Sequence, residues 1–388
     1  MKKLSKRNGS ITPSPIRKMF NLVGSKANTI NLVLGEPDFP TPRHIIDFSY
    51  RALCEGNTHY THNSGMELLR KTIAQKLNRE TGLDYQFDSQ IIVTAGAQEA
   101  LFLTFQTLLE KGDEVILSNP YYPPYANEIA LGGGTPVFVD VHERDGFVFT
   151  LASLEKAITK HTKAILVNSP ANPTGGMIAP EVLQGIAELA VRYDLYVVTD
   201  EVYKAFRYDG EAYVSIASFP GMKERTIILD SLSKSYAMTG WRVGFAACND
   251  DIYAHMMHMQ ENVMSCVSTA AQFAAVEAYA GPQQALHDMI GEYGKRRRLI
   301  VDGLNSIPHI SCIEPKGAFY AFANMSETGM SSEEFAMSLF DDTGVLLVPG
   351  SGFGSAGEGY IRISFATSQK IIQEGLNRIN SFIAKKCH

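Results

Sequence analysis

At 388 residues the chain is long enough for two domains and a large apolar core. Its 45 % hydrophobic and 20 % charged content is that of a folded soluble protein, and a net charge of -6 argues against nucleic acid or an anionic membrane as main partner. No apolar run reaches the length of a membrane span, and no apolar segment follows the basic start Met1–Arg7, so neither a membrane protein nor a secretory signal is expected and the cytoplasm is the expected location. The five cysteines, Cys54, Cys248, Cys266, Cys312 and Cys387, are widely spaced without a Cys-x-x-Cys pair, a pattern of reduced thiols.

In chain order, Asn31–Leu34 reads as a short apolar strand that runs into a turn with Gly35, Pro37 and Pro40. Gly35 fits either a plain turn or a point where the backbone approaches a ligand. Helices are expected over Thr41–Gly56 and Met66–Arg79, with His59, Tyr60 and His62 in the loop between them. The spacing of His59 and His62, like that of His255 and His258, lacks the acidic or cysteine partners a metal site needs, and no metal is expected. Ile91–Thr94 is a strand, followed by a glycine turn and a helix with Leu101, Phe102, Phe105, Leu108 and Leu109 on its inner face. The N–H groups at Ala97 and Gln98 open that helix and suit an anion, though a simple strand-to-helix turn needs none.

Strands are expected at Glu114–Leu117, Pro136–Val141, Ala164–Asn168, Leu195–Thr199, Thr226–Asp230 and Val243–Ala247, with helices between several of them, such as Pro180–Tyr193. The alternation predicts an α/β fold: a large domain with a mostly parallel sheet sandwiched by helices. Ligands in such sheets sit beyond the carboxyl ends of the strands. The residues there, Asn119–Tyr122, Ser169–Gly175, Asp200–Tyr203 and Ser231–Lys234, are the polar and aromatic ones of the region. From about residue 285 the pattern changes to a helical run His287–Leu304, a helix Ser332–Asp342, strands at Val345–Val348 and Tyr360–Phe365, and a closing amphipathic helix Ile371–Lys385. This predicts a smaller α+β domain over 286–388, packed with the N-terminal segment 1–45, beside a large domain over 46–285. Gly352-Phe-Gly-Ser-Ala-Gly357 has the spacing of a dinucleotide loop but precedes a strand, so it reads as an ordinary loop.

The stretch Ser231–Phe245 holds one lysine between small hydroxyl residues, with Arg242 eight positions after Lys234. A desolvated lysine at a sheet mouth becomes nucleophilic, whereas a lysine on a surface loop stays solvated, and this stretch taken alone fits either. Ser231, Ser233 and Arg242 suit a phosphate, and a lysine beside a phosphate site is what pyridoxal phosphate requires.

Six motifs in this order resemble the class I/II aminotransferases, fold-type I pyridoxal-phosphate enzymes: Gly35-Glu-Pro-Asp-Phe, Thr94-Ala-Gly-Ala-Gln-Glu-Ala, Asn172-Pro-Thr-Gly, Asp200-Glu-Val-Tyr, Ser231-Leu-Ser-Lys with Gly240-Trp-Arg-Val-Gly, and Tyr360-Ile-Arg-Ile-Ser-Phe-Ala. The resemblance implies pyridoxal 5'-phosphate as cofactor and Lys234 as its Schiff-base lysine and proton carrier. It implies Asp200 as partner of the pyridine nitrogen, Tyr203 and Asn172 as donors to the phenolic oxygen, and Tyr122 as the stacking aromatic, with Tyr121 and Tyr125 as rivals. Ala97, Gln98, Ser231, Ser233 and Arg242 would hold the phosphate, and Tyr60 would reach the phosphate of a neighbouring subunit, implying a homodimer with shared sites. Arg362, Gly35 and Asn172 would bind the substrate carboxylate. The expected reaction is ping-pong transfer of an amino group from an L-amino acid (aspartate, aromatic or acyl-diaminopimelate type) to a 2-oxo acid such as 2-oxoglutarate. A β-lyase on the same scaffold and a non-catalytic cofactor-sensing domain are the alternatives. A dicarboxylic substrate needs a second cation, and Arg17 could approach the site or be a solvated arginine at a helix start; no arginine is decisive.

Overall fold

The computed structural model describes residues 9, 11, 13, 15–22, 26 and 28–386; the basic run Met1–Arg7 and Cys387 lie outside them. The strands are β1 (Ile30–Asn31), β2 (Ile91–Thr94), β3 (Glu114–Asn119), β4 (Thr135–Asp140), β5 (Thr162–Asn168), β6 (Tyr196–Asp200), β7 (Thr226–Ser231), β8 (Gly244–Ala247), β9 (Tyr320–Asn324), β10 (Val345–Leu346), β11 (Val348–Pro349) and β12 (Tyr360–Ser364). Seven of them form one sheet in the order β2-β8-β7-β6-β5-β3-β4.

Both faces of this sheet are covered, which is why its strands read as continuous apolar runs. Alternate residues go to opposite sides: Ile227 and Leu229 of β7 pack with Leu101, Phe105 and Met256, whereas Ile228 packs with Leu69, Ile73 and Ala274. Helices Ala97–Leu108 and Asp250–Val263 thus cover one face, and helices Glu67–Thr81 and Thr269–Ala280 cover the other. Helix Glu67–Thr81 stops where Gly82 takes the left-handed conformation at φ 71°, a conformation glycine adopts without a Cβ penalty.

Two expected elements differ. The strand at Val243–Ala247 is not part of the parallel series: β8 runs antiparallel to both β2 and β7. Its link from β7 holds only the four-residue helix Leu232–Ser235 and a 3-10 turn, too little to carry the chain back across the sheet, so the strand returns antiparallel. Val345–Val348 is not one strand. Its first half pairs in parallel with β1, and its second half joins β12 and β9 in an antiparallel sheet, with the buried Leu347 at the change of partner. The closing helix, Gln369–Lys386, buries Ile372, Leu376, Ile379 and Ile383, the stripe its periodicity predicts, together with Phe382.

Candidate active site

The short β7–β8 link carries Lys234 to the carboxyl ends of the parallel strands. There a cavity of roughly 470 Å³ is lined by Lys234, Asp200, Tyr203, Arg242 and Arg362 from sequence-distant elements. Lys234 is half-buried, and its Nζ donates to Gly35 O at 2.6 Å. Burial pulls its ammonium down to about 8; Glu36 and Asp200 oppose the shift, and the charges of Arg362 and Arg242 reinforce it. An amine in this state is half neutral near pH 8 and able to attack a carbonyl.

One wall of the cavity is built for an anion. Gly96, at φ 80°, precedes helix Ala97–Leu108, and Ala97 and Gln98 line the cavity at its start. The first N–H groups of a helix have no partner within it and carry the positive end of its dipole. A Cβ on Gly96 would lie 2.7 Å from Arg242 Nη2, so only glycine lets the guanidinium lie against this turn. Arg242 Nη2 donates to Ala95 O at 2.8 Å and Nη1 to Thr239 O at 3.1 Å. Ser231 Oγ accepts the Ser233 N–H at 3.1 Å and lies 2.8 Å from Ser233 Oγ. Both hydroxyls line the same wall.

The opposite wall is acidic and aromatic. Asp200 ends β6; its Oδ2 accepts Tyr125 Oη–H at 2.6 Å and its Oδ1 the Val202 N–H at 3.2 Å. Burial and Asp230 push its carboxyl up, against these hydrogen bonds and Lys234. Tyr122 lines the cavity edge-on to Tyr125, with centroids 5.4 Å apart, while Tyr121 stacks on Phe138 and lines a different cavity. Tyr203 Oη and Tyr320 Oη are 2.7 Å apart. A Cβ at position 35 would collide with that Tyr320 hydroxyl, which gives Gly35 its requirement for close approach.

Arg362, on β12, is 1 % exposed. Its Nη1 donates to Asn172 Oδ1 at 2.9 Å and its Nη2 to Val33 O at 2.6 Å, and its Nε has no partner. Its guanidinium lies 4.4 Å from the Tyr320 ring centroid and 4.9 Å from that of Phe353. The equally buried Arg297 has Asp209 at 2.6 Å and Glu314 at 3.1 Å; among the described residues no carboxylate pairs with Arg362. A buried cation without a counter-charge is costly, so an anion from outside is expected to enter.

The family model described as aminotransferase class I and II matches residues 27–379. The chain is 40 % identical to the aromatic-amino-acid aminotransferase 2 of Thermococcus litoralis, over 99 % of both chains. It is also 40 % identical to the aspartate aminotransferase of Bacillus subtilis, again over 99 % of both. The crystal structure of an aromatic aminotransferase from Pyrococcus horikoshii superposes with a TM-score of 0.91 at 38 % identity, covering 95 % of this chain and 99 % of that one.

The chain belongs to the class I and II aminotransferases.

This aminotransferase therefore uses pyridoxal phosphate. Its cavity fits the cofactor: a phosphate monoester carries about -1.5 to -2 charge, and the helix start, two serines and Arg242 form a matching cradle that a Cβ on Gly96 would fill. Of the residues expected at the site, Tyr60 alone lies outside the cavity, 92 % exposed on the surface of the single chain. His62 Nδ1 hydrogen-bonds Ser64 Oγ at 2.8 Å. Sequence reasoning missed Tyr320 as a partner of Tyr203 and Arg362, and Tyr125 as the donor to Asp200. It read Gly96 as a turn glycine and missed that the turn must leave room for Arg242. Arg17, with Ile16 and Phe20, lines the mouth of the aminotransferase cavity.

Proposed function

We propose that this aminotransferase moves the amino group of an L-amino acid, aspartate or aromatic in type, to a 2-oxo acid such as 2-oxoglutarate, in a ping-pong sequence anchored on Lys234. When bound, pyridoxal phosphate supplies an aldehyde that condenses with amines and a pyridine ring that draws electrons from the bond beside the amino group. Lys234 Nζ is the amine that tethers the cofactor and then takes and returns the proton at the substrate's α-carbon. Asp200 would pair with the pyridine nitrogen of the bound cofactor, where a carboxylate would keep that nitrogen protonated; Tyr125 holds the carboxylate in place. Tyr203 and Asn172 would donate to the cofactor's phenolic oxygen, and Tyr122 would supply the stacking aromatic. Arg362 receives the substrate α-carboxylate in a bidentate pair, beside Asn172 and Gly35.

The observation that carries this reading is one cavity holding both a lysine with its ammonium lowered to about 8 and a buried arginine lacking a counter-charge. The small domain, 286–388 with the N-terminal segment 1–45, closes over the large domain, 46–285, and excludes water. The active species is a homodimer in which Tyr60 completes the partner's phosphate site. A panel of amino donors with 2-oxoglutarate tests the substrate class: glutamate should form with aspartate, an aromatic amino acid or both. Pyruvate and ammonia from cystathionine, with no glutamate from any donor, would assign a lyase instead.

A further inference from the structure

Beside helix Glu67–Thr81 lies a buried ionic cluster whose members do not line the cavity. Lys204 is 6 % exposed, Asp230 3 % and Glu201 2 %. Lys204 Nζ lies 2.9 Å from Asp230 Oδ2, 2.9 Å from Glu80 Oε2 and 4.0 Å from Glu201 Oε2. Burial alone would strip its proton, but Asp230, Tyr213, Glu80 and Glu201 outweigh burial and hold the ammonium well above the usual lysine range. Every packed element contributes. Lys76 pairs with Glu80 on helix Glu67–Thr81, Tyr213 and Ser215 donate to Glu201, and Arg207 shares the Tyr213 ring with Lys204. Tyr279 lines the same small cavity as Lys204 and Glu80, with Tyr236 edge-on to it at 5.6 Å, and burial together with Asp230 pushes both phenols up.

Two of the carboxylates lead to the site. Asp230 Oδ1 accepts the Ser231 N–H at 2.7 Å, and Ser231 in turn caps the turn of Ser233 and Lys234 through its Oγ. Glu201 follows Asp200 directly, and its N–H donates to Leu229 O at 2.9 Å. One ammonium therefore pairs with Asp230 near the end of β7, next to Ser231, and lies 4.0 Å from Glu201, the residue that follows Asp200 at the end of β6. We propose that Lys204, acting through Asp230, is a positioning residue for the phosphate cradle: an ionic pin that holds the Ser231–Ser233 turn in register with Asp200. The inference rests on reading those serines as phosphate donors. Being buried, the pin is little screened by salt, and losing one partner leaves an uncompensated charge in the interior.

The test compares equilibrium binding of pyridoxal phosphate with that of pyridoxal, which lacks the phosphate, on the full chain freed of cofactor. The ratio of the two affinities reads the cradle alone. Lys204→Met should lower that ratio roughly tenfold or more while leaving pyridoxal binding within about twofold, and Lys204→Arg, which keeps the charge, should preserve the ratio. Circular dichroism establishes folding. If Lys204→Met does not fold, Asp230→Asn replaces it: the amide oxygen still accepts the Ser231 N–H, but the charge that holds Lys204 is gone, and the same drop is expected. A folded Lys204→Met or Asp230→Asn protein with an unchanged ratio overturns the proposal, as does equal loss in the Met and Arg variants. An unsubstituted protein that binds both compounds equally would instead overturn the phosphate reading of the serines, independently of Lys204.

Discussion

Arg362 and Lys234 are two cations placed where their charge is least comfortable, and each discomfort has a use. The Arg362 guanidinium has aromatic rings around it and an unpartnered Nε, so its full stabilisation waits for a carboxylate. Arg362→Gln is expected to raise KM for amino donor and oxo acid alike by roughly 30- to 1000-fold, the equivalent of about 2–4 kcal/mol of lost charge-assisted bonding. Arg362→Met should be as inactive, yet its Tm without ligand should be no lower than that of the unsubstituted protein, because a buried lone charge has been removed; steady-state kinetics and calorimetry check the pair. For Lys234, the neutral amine is the reactive form, and it is lost as pH falls below about 8. Stopped-flow capture of pyridoxal phosphate by cofactor-free protein should therefore rise with pH and level off above that value, with about one hundredth of the plateau rate two pH units below it. The residue types at these positions were legible in the sequence. Their partners were not: the Tyr125 bond to Asp200 and the Tyr320 contacts with Tyr203 and Arg362 join positions far apart in the chain, and no local pattern encodes them.

The glycine turn between β2 and helix Ala97–Leu108 sets how closely that helix start and Arg242 approach each other. A Cβ at Gly96 meets the guanidinium, and its backbone, at φ 80° and ψ 171°, lies in a region that is essentially open to glycine alone and costs any other residue about 1–3 kcal/mol. Gly96→Ala should therefore weaken cofactor binding about tenfold or more through displacement of Arg242, together with a loss of thermal stability from the strained backbone, the two separated by melting curves with and without pyridoxal phosphate. Strands and helices of the sheet were foreseen from apolar runs and turn residues because burial on both faces writes itself into composition. The direction of β8 was not, since periodicity says nothing of which way a strand runs; the clue lay in the shortness of the link that carries Lys234. The break at Leu347 was equally hidden, because all of Val345–Val348 is buried and apolar whichever sheet each half joins.

For the molecule as a whole, the single chain gathers the residues proposed to bind cofactor and substrate into one cavity yet leaves Tyr60 facing outward. The proposed dimer gives that residue its place. Lys234→Ala and Tyr60→Ala proteins, each weak alone, should on mixing and subunit exchange recover roughly a quarter of the sites, because half the dimers are mixed and each of those has one intact site. No recovery despite exchange would place Tyr60 outside the reaction. All of these expectations depend on where the cofactor is fixed. Borohydride reduction of the protein loaded with pyridoxal phosphate, followed by peptide mapping, should find the label on Lys234 and nowhere else; a label on another lysine, or none, would contradict the account.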